Sequence, residues 1–352
     1  MTRAAYLFLF SILLTSCSRL FFGPDPEGSP IESFEYLKEE VGQRYSLFET
    51  KNLDWESISA TYESQIKDSM SSEELLEVLG AYLGELQDGH VNIYTDFDYS
   101  RNWDWYLDYP SNFDMEIIER NYLGKRHWRT GPFFHTIIDS IAYVYYGSFS
   151  TPIAGKYLNA LMERIEPCKG LVFDIRNNGG GKLNNVKMLA SRFADTTRVP
   201  LQFYFKSGPG KDDFAGPFDY KIKPSTKTTF TKPIVILTNR KSYSAATFFP
   251  ALMSAYPHVT IMGDTSGGGG GIPYHLELPN GWNFRISTSI TKDAQGRDIE
   301  LGIPPDVEVS LDPLAVQIGR DNIIETAFQY IQDKNSTKKE VPQIIEEDQG
   351  QE

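Results

Sequence analysis

The chain has 352 residues, of which 40% are hydrophobic and 13% aromatic, so it is long enough to bury one large apolar core or two smaller ones. Its 34 Lys and Arg residues against 47 Asp and Glu residues give a formal charge of -13, and no dense basic run is present. Because a nucleic-acid backbone is bound by clustered Lys and Arg, this composition argues against nucleic acid as a partner.

The first seventeen residues have the pattern of an export signal. Arg3 precedes an apolar run from Ala4 to Leu14, and its roughly eleven residues are too few to span a bilayer, which takes about twenty. The run ends in the letters LTSC, with Cys17 last, and this ending resembles a bacterial lipobox. The resemblance implies that residues 1–17 are a lipoprotein signal peptide, that Cys17 is lipidated, and that the protein is anchored in the cell envelope. An ordinary signal peptide or a short buried helix is the alternative.

A tether and three helices are predicted next. Residues 18–30 are rich in Gly, Pro and Ser, which is typical of a flexible linker. Residues 31–90 place apolar side chains three and four positions apart, which predicts an N-terminal subdomain of three amphipathic helices. In the third helix, Ser71 and Glu74 form a capping-box pattern, and Asp88-Gly89 ends the helix.

Residues 91–136 form an irregular, aromatic-rich segment. Its aromatic residues either line a groove or pack beneath a long loop, and the group in question is Trp103, Trp105, Tyr106 and Tyr109.

Residues 137–333 alternate strand and helix patterns, which predicts an α/β core with helices covering the sheet. The strands are predicted at 141–146, 170–175, 233–237 and 259–262, and the helices at 183–193 and 245–256. A hairpin follows, with strands at 274–278 and 282–290 joined around Asn280-Gly281. The charged residues 334–352 are predicted to be a disordered tail.

Two strand-to-helix junctions of this core carry candidate chemistry. The first, residues 173–181 (FDIRNNGGG), has glycines that allow backbone N–H groups to approach an anionic ligand at a helix N-terminus. It is interpreted as half of an oxyanion hole, with a tight turn or a phosphate site as alternatives. The segment lacks the Lys of a Walker motif and the spacing of a dinucleotide fingerprint.

The second junction places Ser244 directly before an apolar helix. A helix N-cap is the commonest reason for such a serine. The same position also exposes a nucleophilic Oγ at the sheet edge and offers the Ala245 N–H to a developing oxyanion. Both interpretations are open at this point.

The two junctions follow the segment LQDGH, which ends at His90, and together they resemble the tail-specific, or C-terminal processing, protease family. This family shares a ClpP/crotonase-like core and includes the tricorn protease. Its motifs are L-x-D-G-H, D-x-R-x-N-x-G-G, S-x-S-A-x-E and G-I-x-P-D, and the corresponding segments here are residues 86–90, 174–181, 242–247 (SYSAAT) and 302–306. The resemblance extends from about residue 31 to residue 312 and implies an N-terminal helical subdomain followed by the sheet-and-helix core.

The resemblance implies that Ser244 is the nucleophile and that the N–H groups of Ala245 and Gly180 stabilise the oxyanion. Many members pair the serine with a lysine, but Gly269 stands at the lysine's place in residues 263–270. A Ser–Lys dyad is therefore excluded at that position. Tricorn-like relatives use a histidine base instead, which assigns the role to His90.

The carboxylate that orients His90 is predicted to be Glu300, although its spacing to the closing motif is one residue shorter than usual. Asp88 is the second candidate. About fifty residues separate His90 from the strand at Ile141, fewer than the PDZ domain of many members needs, so no PDZ domain is expected. No histidine pair has a metal-ligand spacing, so neither a metal nor another cofactor is expected.

The sequence thus predicts a serine peptidase of the cell envelope that cleaves peptides or unfolded proteins through an acyl-enzyme. The main alternative is a catalytically inactive relative that binds peptides as a lipoprotein, because both the lysine and the serine that often precedes the histidine are missing. An esterase on the same core is a third interpretation. With Cys17 lipidated, Cys168 has no disulfide partner and is expected to be a buried thiol.

Overall fold

The computed structural model describes residues 28–100 and 108–337. The predicted signal peptide, Cys17, nearly all of the tether and the tail from residue 338 lie outside the described residues, as do Trp103, Trp105 and Tyr106. Within the described ranges, no helix is both long and apolar enough to cross a membrane.

Nine α-helices are present in these ranges. In chain order they are α1 (Pro30–Arg44), α2 (Trp55–Glu63), α3 (Ser72–Gly84), α4 (Met115–Ile117), α5 (Gly155–Ile165), α6 (Leu183–Phe193), α7 (Ala245–Met253), α8 (Pro313–Gln317) and α9 (Asn322–Thr337). A π-helical turn, Ile118–Leu123, continues α4, and a 3-10 turn, Ile299–Leu301, follows the last long strand.

Thirteen strands accompany them in the same ranges. They are β1 (Asn92–Tyr94), β2 (Trp128–Thr130), β3 (Phe133–Ile138), β4 (Ile141–Tyr145), β5 (Gly170–Asp174), β6 (Arg198–Lys206), β7 (Phe214–Ile222), β8 (Ile234–Thr238), β9 (Val259–Gly263), β10 (Pro273–Glu277), β11 (Asn283–Ser287), β12 (Ser289–Asp293) and β13 (Val307–Glu308).

The chain divides into two units. The first comprises Met1–Trp103, Gly208–Asp213 and Pro273–Thr288, and the second comprises Asp104–Ser207, Phe214–Ile272 and Ser289–Glu352.

The first unit contains helices α1 to α3 and a three-stranded antiparallel sheet in the order β1-β11-β10. The predicted capping box of α3 is confirmed, because Glu74 N–H donates to Ser71 Oγ at 3.2 Å while Ser71 N–H donates to a Glu74 carboxylate oxygen at 2.8 Å. The helices pack through aromatic rings, with Trp55 stacked on Tyr82 at 4.4 Å between ring centroids. Buried apolar side chains at helical spacing thus hold this unit together.

The predicted hairpin is confirmed at its turn but is wrong at its far end. Leu278 N–H donates to the Trp282 carbonyl at 2.7 Å, and Gly281 has φ 84, as a tight turn through Asn280-Gly281 requires. The segment predicted as one strand from 282 to 290 is instead two strands on either side of Thr288. The strand β11 pairs with β10 in the first unit, whereas β12 pairs with β6 in the second.

The second unit contains a seven-stranded mixed sheet in the order β13-β9-β8-β5-β4-β3-β2. The strands from β13 to β4 are parallel, and β4, β3 and β2 are antiparallel. Alternate residues of β5 face opposite layers: Leu171 and Phe173 pack in the cluster with α5, α6 and α7, and Val172 packs in the cluster with α9. Burial on both faces explains why the central strands are almost continuously apolar.

A smaller antiparallel sheet, β12-β6-β7, also belongs to the second unit. It packs on the helical layer through aromatic side chains, since the Phe203 ring of β6 stacks on Phe248 of α7 at 6.0 Å.

A buried ion network supports the carboxyl end of β5. Arg176 donates to both carboxylate oxygens of Asp174 and, at 2.9 Å, to Asp321 Oδ2, and all three side chains are fully buried. Asp321 also caps α9 by accepting from the N–H groups of Ile323 and Ile324. Burial alone would lower the pKa of Arg176, but the two carboxylates reverse this and raise it.

We expect Arg176→Met to reduce the free energy of unfolding by about 3–5 kcal/mol, because it leaves two buried carboxylates without their cation. Urea unfolding at about pH 7 measures this loss. The matched control is Arg120→Met, which removes an exposed pair with Glu116 whose side chains are 59% and 83% accessible, and which should cost less than about 1 kcal/mol.

The pH dependence of the unfolding free energy, measured for the same two variants, shows whether the unpaired carboxylates cause the loss of stability. Burial raises the pKa of Asp321 in the folded protein and Arg176 opposes this rise, so without the cation the folded-state pKa of Asp321 rises further above its unfolded value and its protonation favours the folded state. The stability deficit of Arg176→Met should therefore shrink between about pH 7 and about pH 5. A deficit that does not change over this interval would show that lost packing, not the orphaned carboxylates, is responsible.

Candidate active site

Ser244 stands at the junction between the turn that follows β8 and the first residue of α7. Its backbone has φ 55 and ψ -121, a conformation that non-glycine residues rarely adopt and that costs about 1–3 kcal/mol. The side chain makes no capping hydrogen bond to the helix. Ser244 is therefore not an ordinary N-cap, and its strained backbone has the geometry typical of a nucleophile at a strand-to-helix turn.

Backbone hydrogen bonds hold Ser244 in this conformation. Its N–H donates to the Gly268 carbonyl at 2.8 Å, and its own carbonyl accepts from the N–H groups of Thr247 at 2.7 Å and Phe248 at 3.0 Å. The preceding Tyr243 N–H donates to the Asn178 carbonyl at 3.0 Å. The turn that carries Ser244 is thus held by hydrogen bonds to both of the other loops at this edge of the sheet.

Ser242 has a structural role. Its Oγ is fully buried, donates to the Ile175 carbonyl at 2.9 Å and accepts from Asn239 N–H at 3.1 Å. Both hydrogen bonds close the loop between the two junctions. Ser242 is therefore committed to closing this loop.

The glycine junction lies directly against Ser244. Gly180 has φ 95, and a Cβ atom there would stand 2.6 Å from the Tyr243 carbonyl oxygen, 2.8 Å from Ser244 Cβ and 2.9 Å from Ala245 N. A side chain at this position is therefore excluded by both conformation and space. The two junctions identified in the sequence meet at one place in the second unit.

The predicted oxyanion donors differ in availability. The Ala245 N–H has no hydrogen-bond acceptor among residues 28–100 and 108–337. The Gly180 N–H, in contrast, donates to Asn178 Oδ1 at 3.0 Å. In the same described part of the chain, the N–H of the exposed Gly179 has no acceptor. One predicted donor is thus free to bind a ligand, and the other is engaged by a side chain.

The place of the family's lysine is closed by a tyrosine ring. Gly269 has φ 79, and a Cβ atom there would lie 2.5–2.8 Å from ring atoms of Tyr243. The absence of lysine is therefore accompanied by a local packing that has no room for a side chain.

We expect Gly269→Lys to destabilise the fold and to restore no dyad. Gly296→Lys is the matched control, because Gly296 has nearly the same φ, 78, but open space around its Cβ position. The control should cost about 1 kcal/mol for the left-handed backbone, and Gly269→Lys about 1–3 kcal/mol more for the overlap with Tyr243. Equal losses in thermal unfolding would show that the ring moves aside without cost.

Glu300 lies in the 3-10 turn and is only 4% accessible. One of its carboxylate oxygens accepts from Gly271 N–H at 3.2 Å, and its carbonyl accepts from Gly269 N–H at 3.2 Å. Glu300 thus anchors the glycine-rich loop that carries the Ser244 acceptor, Gly268. The contacts of Glu300 with this loop were not predicted from the sequence. The orientation of His90 by Glu300 stays a prediction.

His90 belongs to the first unit, where it follows the turn that ends α3 and is 8% accessible. Its backbone N–H donates to Asp88 Oδ1 at 2.8 Å, and the Tyr45 hydroxyl donates to Asp88 Oδ2 at 3.2 Å. The carboxylate of Asp88 therefore shapes the backbone of the D-G-H turn, which explains the aspartate of that motif.

Two other titratable side chains, those of His135 and Cys168, are buried in the fold. His135 is fully buried beside Thr130, and burial lowers its pKa to about 4, so it is neutral near pH 7. Burial also raises the pKa of the Cys168 thiol, which suppresses the reactive thiolate. Across the described ranges, no cluster of three or more His, Cys, Asp or Glu residues could hold a metal ion.

Comparison with known proteins agrees with this geometry. The profile of peptidase family S41 matches residues 140–309, and the profile of the tricorn protease C1 domain matches residues 27–84. A solved structure described as a candidate peptidase from Parabacteroides merdae is 40% identical with a TM-score of 0.82, covering 87% of this chain and 97% of that one. The chain belongs to peptidase family S41. The predicted family and its sheet-and-helix core with an N-terminal helical region are thereby confirmed.

Comparisons with more distant relatives show how much of this chain, and how much of each relative, is covered by the similarity. Carboxy-terminal processing protease CtpA of Bacillus subtilis is 27% identical over 171 residues, covering 48% of this chain and 34% of that protein. The matched segment spans about a third or less of the length of the first curated relatives. Mature CPAF, at 11% identity and a TM-score of 0.66 over 86% of this chain, shares the fold.

Two residues near the candidate site were not singled out from the sequence. Asn178 is the asparagine of the D-x-R-x-N motif, and its side chain joins Gly180 N–H to the Tyr146 carbonyl. Asp321 completes the buried network with Arg176 from 145 positions further along the chain. The motif offered a signal for Asn178, whereas nothing in the sequence pattern identified Asp321.

Proposed function

We propose that the protein is a serine peptidase that cleaves peptide bonds through an acyl-enzyme on Ser244. The observation that carries this proposal is the strained backbone of Ser244 at the start of α7, next to an Ala245 N–H without an acceptor in the described residues. A free N–H at the first helical position is suited to a developing oxyanion, since the helix dipole adds to the hydrogen bond. Membership in peptidase family S41 supports the same chemistry.

In the proposed reaction, Ser244 Oγ attacks the peptide carbonyl carbon and His90 accepts the serine proton. The tetrahedral intermediate carries its negative charge toward Ala245 N–H and the glycine turn. His90 then returns the proton to the leaving amine, and a water molecule, activated in the same way, releases the acyl group from Ser244. The chain supplies no lysine at the family position, which is why a histidine base is proposed.

The second oxyanion donor comes from the glycine turn. Gly180 is the donor predicted from the sequence, and its use requires the N–H to leave Asn178 Oδ1. Gly179 N–H is the alternative, since no acceptor occupies it in the part of the chain that is described. In either case the close approach of the Gly180 backbone forms one wall of the oxyanion pocket.

The proposed location is the bacterial cell envelope, with a lipid anchor on Cys17 and with peptides or unfolded proteins as substrates. The LTSC ending of the apolar run supports this part of the proposal. If it is correct, full-length protein expressed in bacteria will sediment with membranes and Cys17→Ser will not. Sedimentation of both forms to the same extent would contradict lipidation at Cys17.

The function is tested by incubating the protein with a defined peptide mixture and identifying new amino termini by mass spectrometry. We expect cleavage by the wild type and none by Ser244→Ala, with a large loss for His90→Ala and a smaller one for Glu300→Gln. Peptides that bind without being cut would support the inactive, peptide-binding alternative instead. Hydrolysis of activated esters without any peptide cleavage would favour an esterase.

A further inference from the structure

The hydroxyl of Thr247 joins the two backbone segments on either side of the nucleophile turn. Thr247 lies in the first turn of α7 and is fully buried. Its Oγ1 donates to the Ser242 carbonyl at 3.0 Å and accepts from Gly268 N–H at 3.1 Å. One atom therefore makes two hydrogen bonds that reach different loops.

Both of these loops act directly on Ser244. The Gly268 carbonyl accepts the Ser244 N–H at 2.8 Å, so the peptide that holds the nucleophile is itself held by Thr247. Ser242 is two residues upstream of Ser244, and its carbonyl also accepts Gly267 N–H at 2.8 Å. A movement of the Thr247 hydroxyl would therefore break the hydrogen bond that holds the Gly268 peptide on one side of Ser244. It would also break the hydrogen bond to the Ser242 carbonyl on the other side.

A hydroxyl both donates and accepts, so the single Oγ1 atom of Thr247 makes this pair of hydrogen bonds. The family motif has Glu at the corresponding place, and an ionised carboxylate could accept from Gly268 N–H but has no proton to donate to the Ser242 carbonyl. Glycine at 268 is also required, because its φ is 85 and a Cβ atom there would stand 1.9 Å from the Glu300 carbonyl oxygen. The arrangement is thus specific to the residues of this chain.

We propose that Thr247 is a positioning residue for Ser244, one that acts through Gly268 and Ser242 to maintain the strained backbone from which Oγ is presented. This inference rests on the proposed function, because it assigns a role in the reactivity of Ser244. A strained conformation persists only where its surroundings determine it, and the Thr247 hydroxyl contacts the backbone on both flanks. Thr247 does not touch the substrate.

The test compares Thr247→Val, which keeps the shape and removes the hydroxyl, with Thr247→Ser, which keeps the hydroxyl. The readouts are the rate of labelling by a fluorophosphonate and the separate values of kcat and KM for a cleaved peptide. We expect Thr247→Val to lower the labelling rate and kcat by about 10- to 100-fold with KM changed less than about threefold, because a small displacement of a nucleophile acts on the chemical step. Thr247→Ser should retain most of both.

Thr326→Val controls for the loss of a threonine hydroxyl elsewhere, since Thr326 Oγ1 donates to the Asn322 carbonyl within α9. It should leave labelling unchanged. If Thr247→Val does not fold, Thr247→Ala and Thr247→Ser give the same comparison, with only the serine variant expected to label at close to the wild-type rate.

The outcomes separate the inference from the proposed function. A wild type that is never labelled contradicts the function itself. A wild type that is labelled, together with a folded Thr247→Val that is labelled equally fast, overturns the positioning role while leaving the function intact. Slow labelling of Thr247→Ser as well as Thr247→Val would likewise overturn it, because the hydroxyl would then not be the group that matters.

Discussion

Replacing Ser244 with alanine is expected to reduce peptide hydrolysis by about 10⁴- to 10⁶-fold, because it removes the proposed nucleophile. The side chain makes no capping bond to α7, so the substitution removes no N-cap and should affect the free energy of unfolding far less than it affects activity. The initial rate of cleavage of a single peptide, measured with both proteins at equal folded concentration, gives the ratio directly.

Ser242→Ala is the matched control for this substitution. It removes a buried hydroxyl that bonds the Ile175 carbonyl and Asn239 N–H, so it should cost about 1–3 kcal/mol of stability. Hydrolysis should remain within about tenfold of the wild type, because the Ser244 backbone keeps its own hydrogen bonds. A reversed pattern, with activity lost in Ser242→Ala and kept in Ser244→Ala, would show that the nucleophile is misassigned.

Gly180→Ala is also expected to damage activity strongly, with a loss of at least about 100-fold. The added Cβ would stand 2.8 Å from Ser244 Cβ and 2.9 Å from Ala245 N, where the oxyanion is proposed to bind. The substitution also places alanine at φ 95, which adds about 1–2 kcal/mol of backbone strain. Cleavage rates and thermal unfolding, measured together, separate these two effects.

Gly179→Ala is the neighbouring control, because a Cβ atom at Gly179 meets nothing within 4 Å and the residue keeps its N–H. Its activity should stay within about threefold of the wild type. If both alanine variants lose activity equally, the flexibility of the glycine turn is what matters, and the close approach of Gly180 to Ser244 is not the reason.

Local patterns were sufficient to predict much of this fold. The capping box of Ser71 and Glu74, the Asn280-Gly281 turn and the apolar strands of the central sheet all depend on residues that are adjacent in sequence or within one helical turn. The junctions of Gly180 and Ser244 were identifiable because strand, turn and helix succeed one another at both.

Features that depend on distant partners were not predictable in this way. No strands were predicted where β6 and β7 form, because these strands pair with each other and β6 packs through Phe203 on Phe248 of α7, which is distant in sequence. The separation of β11 from β12 at Thr288 follows from two pairing partners, β10 and β6, that the sequence does not specify. The role proposed for Thr247 was not predicted for the same reason, because its hydroxyl forms a hydrogen bond with a residue 21 positions away.

At the position where many family members have lysine, the sequence and the structure each contribute a different observation. The sequence revealed Gly269 where the family has lysine, but it did not reveal that the Tyr243 ring occupies the adjacent space. The structure therefore adds a physical reason why the dyad is absent and why a simple reversion is expected to fail. The proposed histidine base, His90, follows from this absence together with its own motif.

The most direct test of the central claim is to locate a fluorophosphonate adduct on the intact protein by mass spectrometry. We expect a single added group per molecule, located on Ser244 in the peptide that contains both serines, and absent from Ser244→Ala. An adduct on Ser242, or on any other serine while Ser244 stays unmodified, would contradict the assignment, and complete resistance of folded wild-type protein would contradict the peptidase itself.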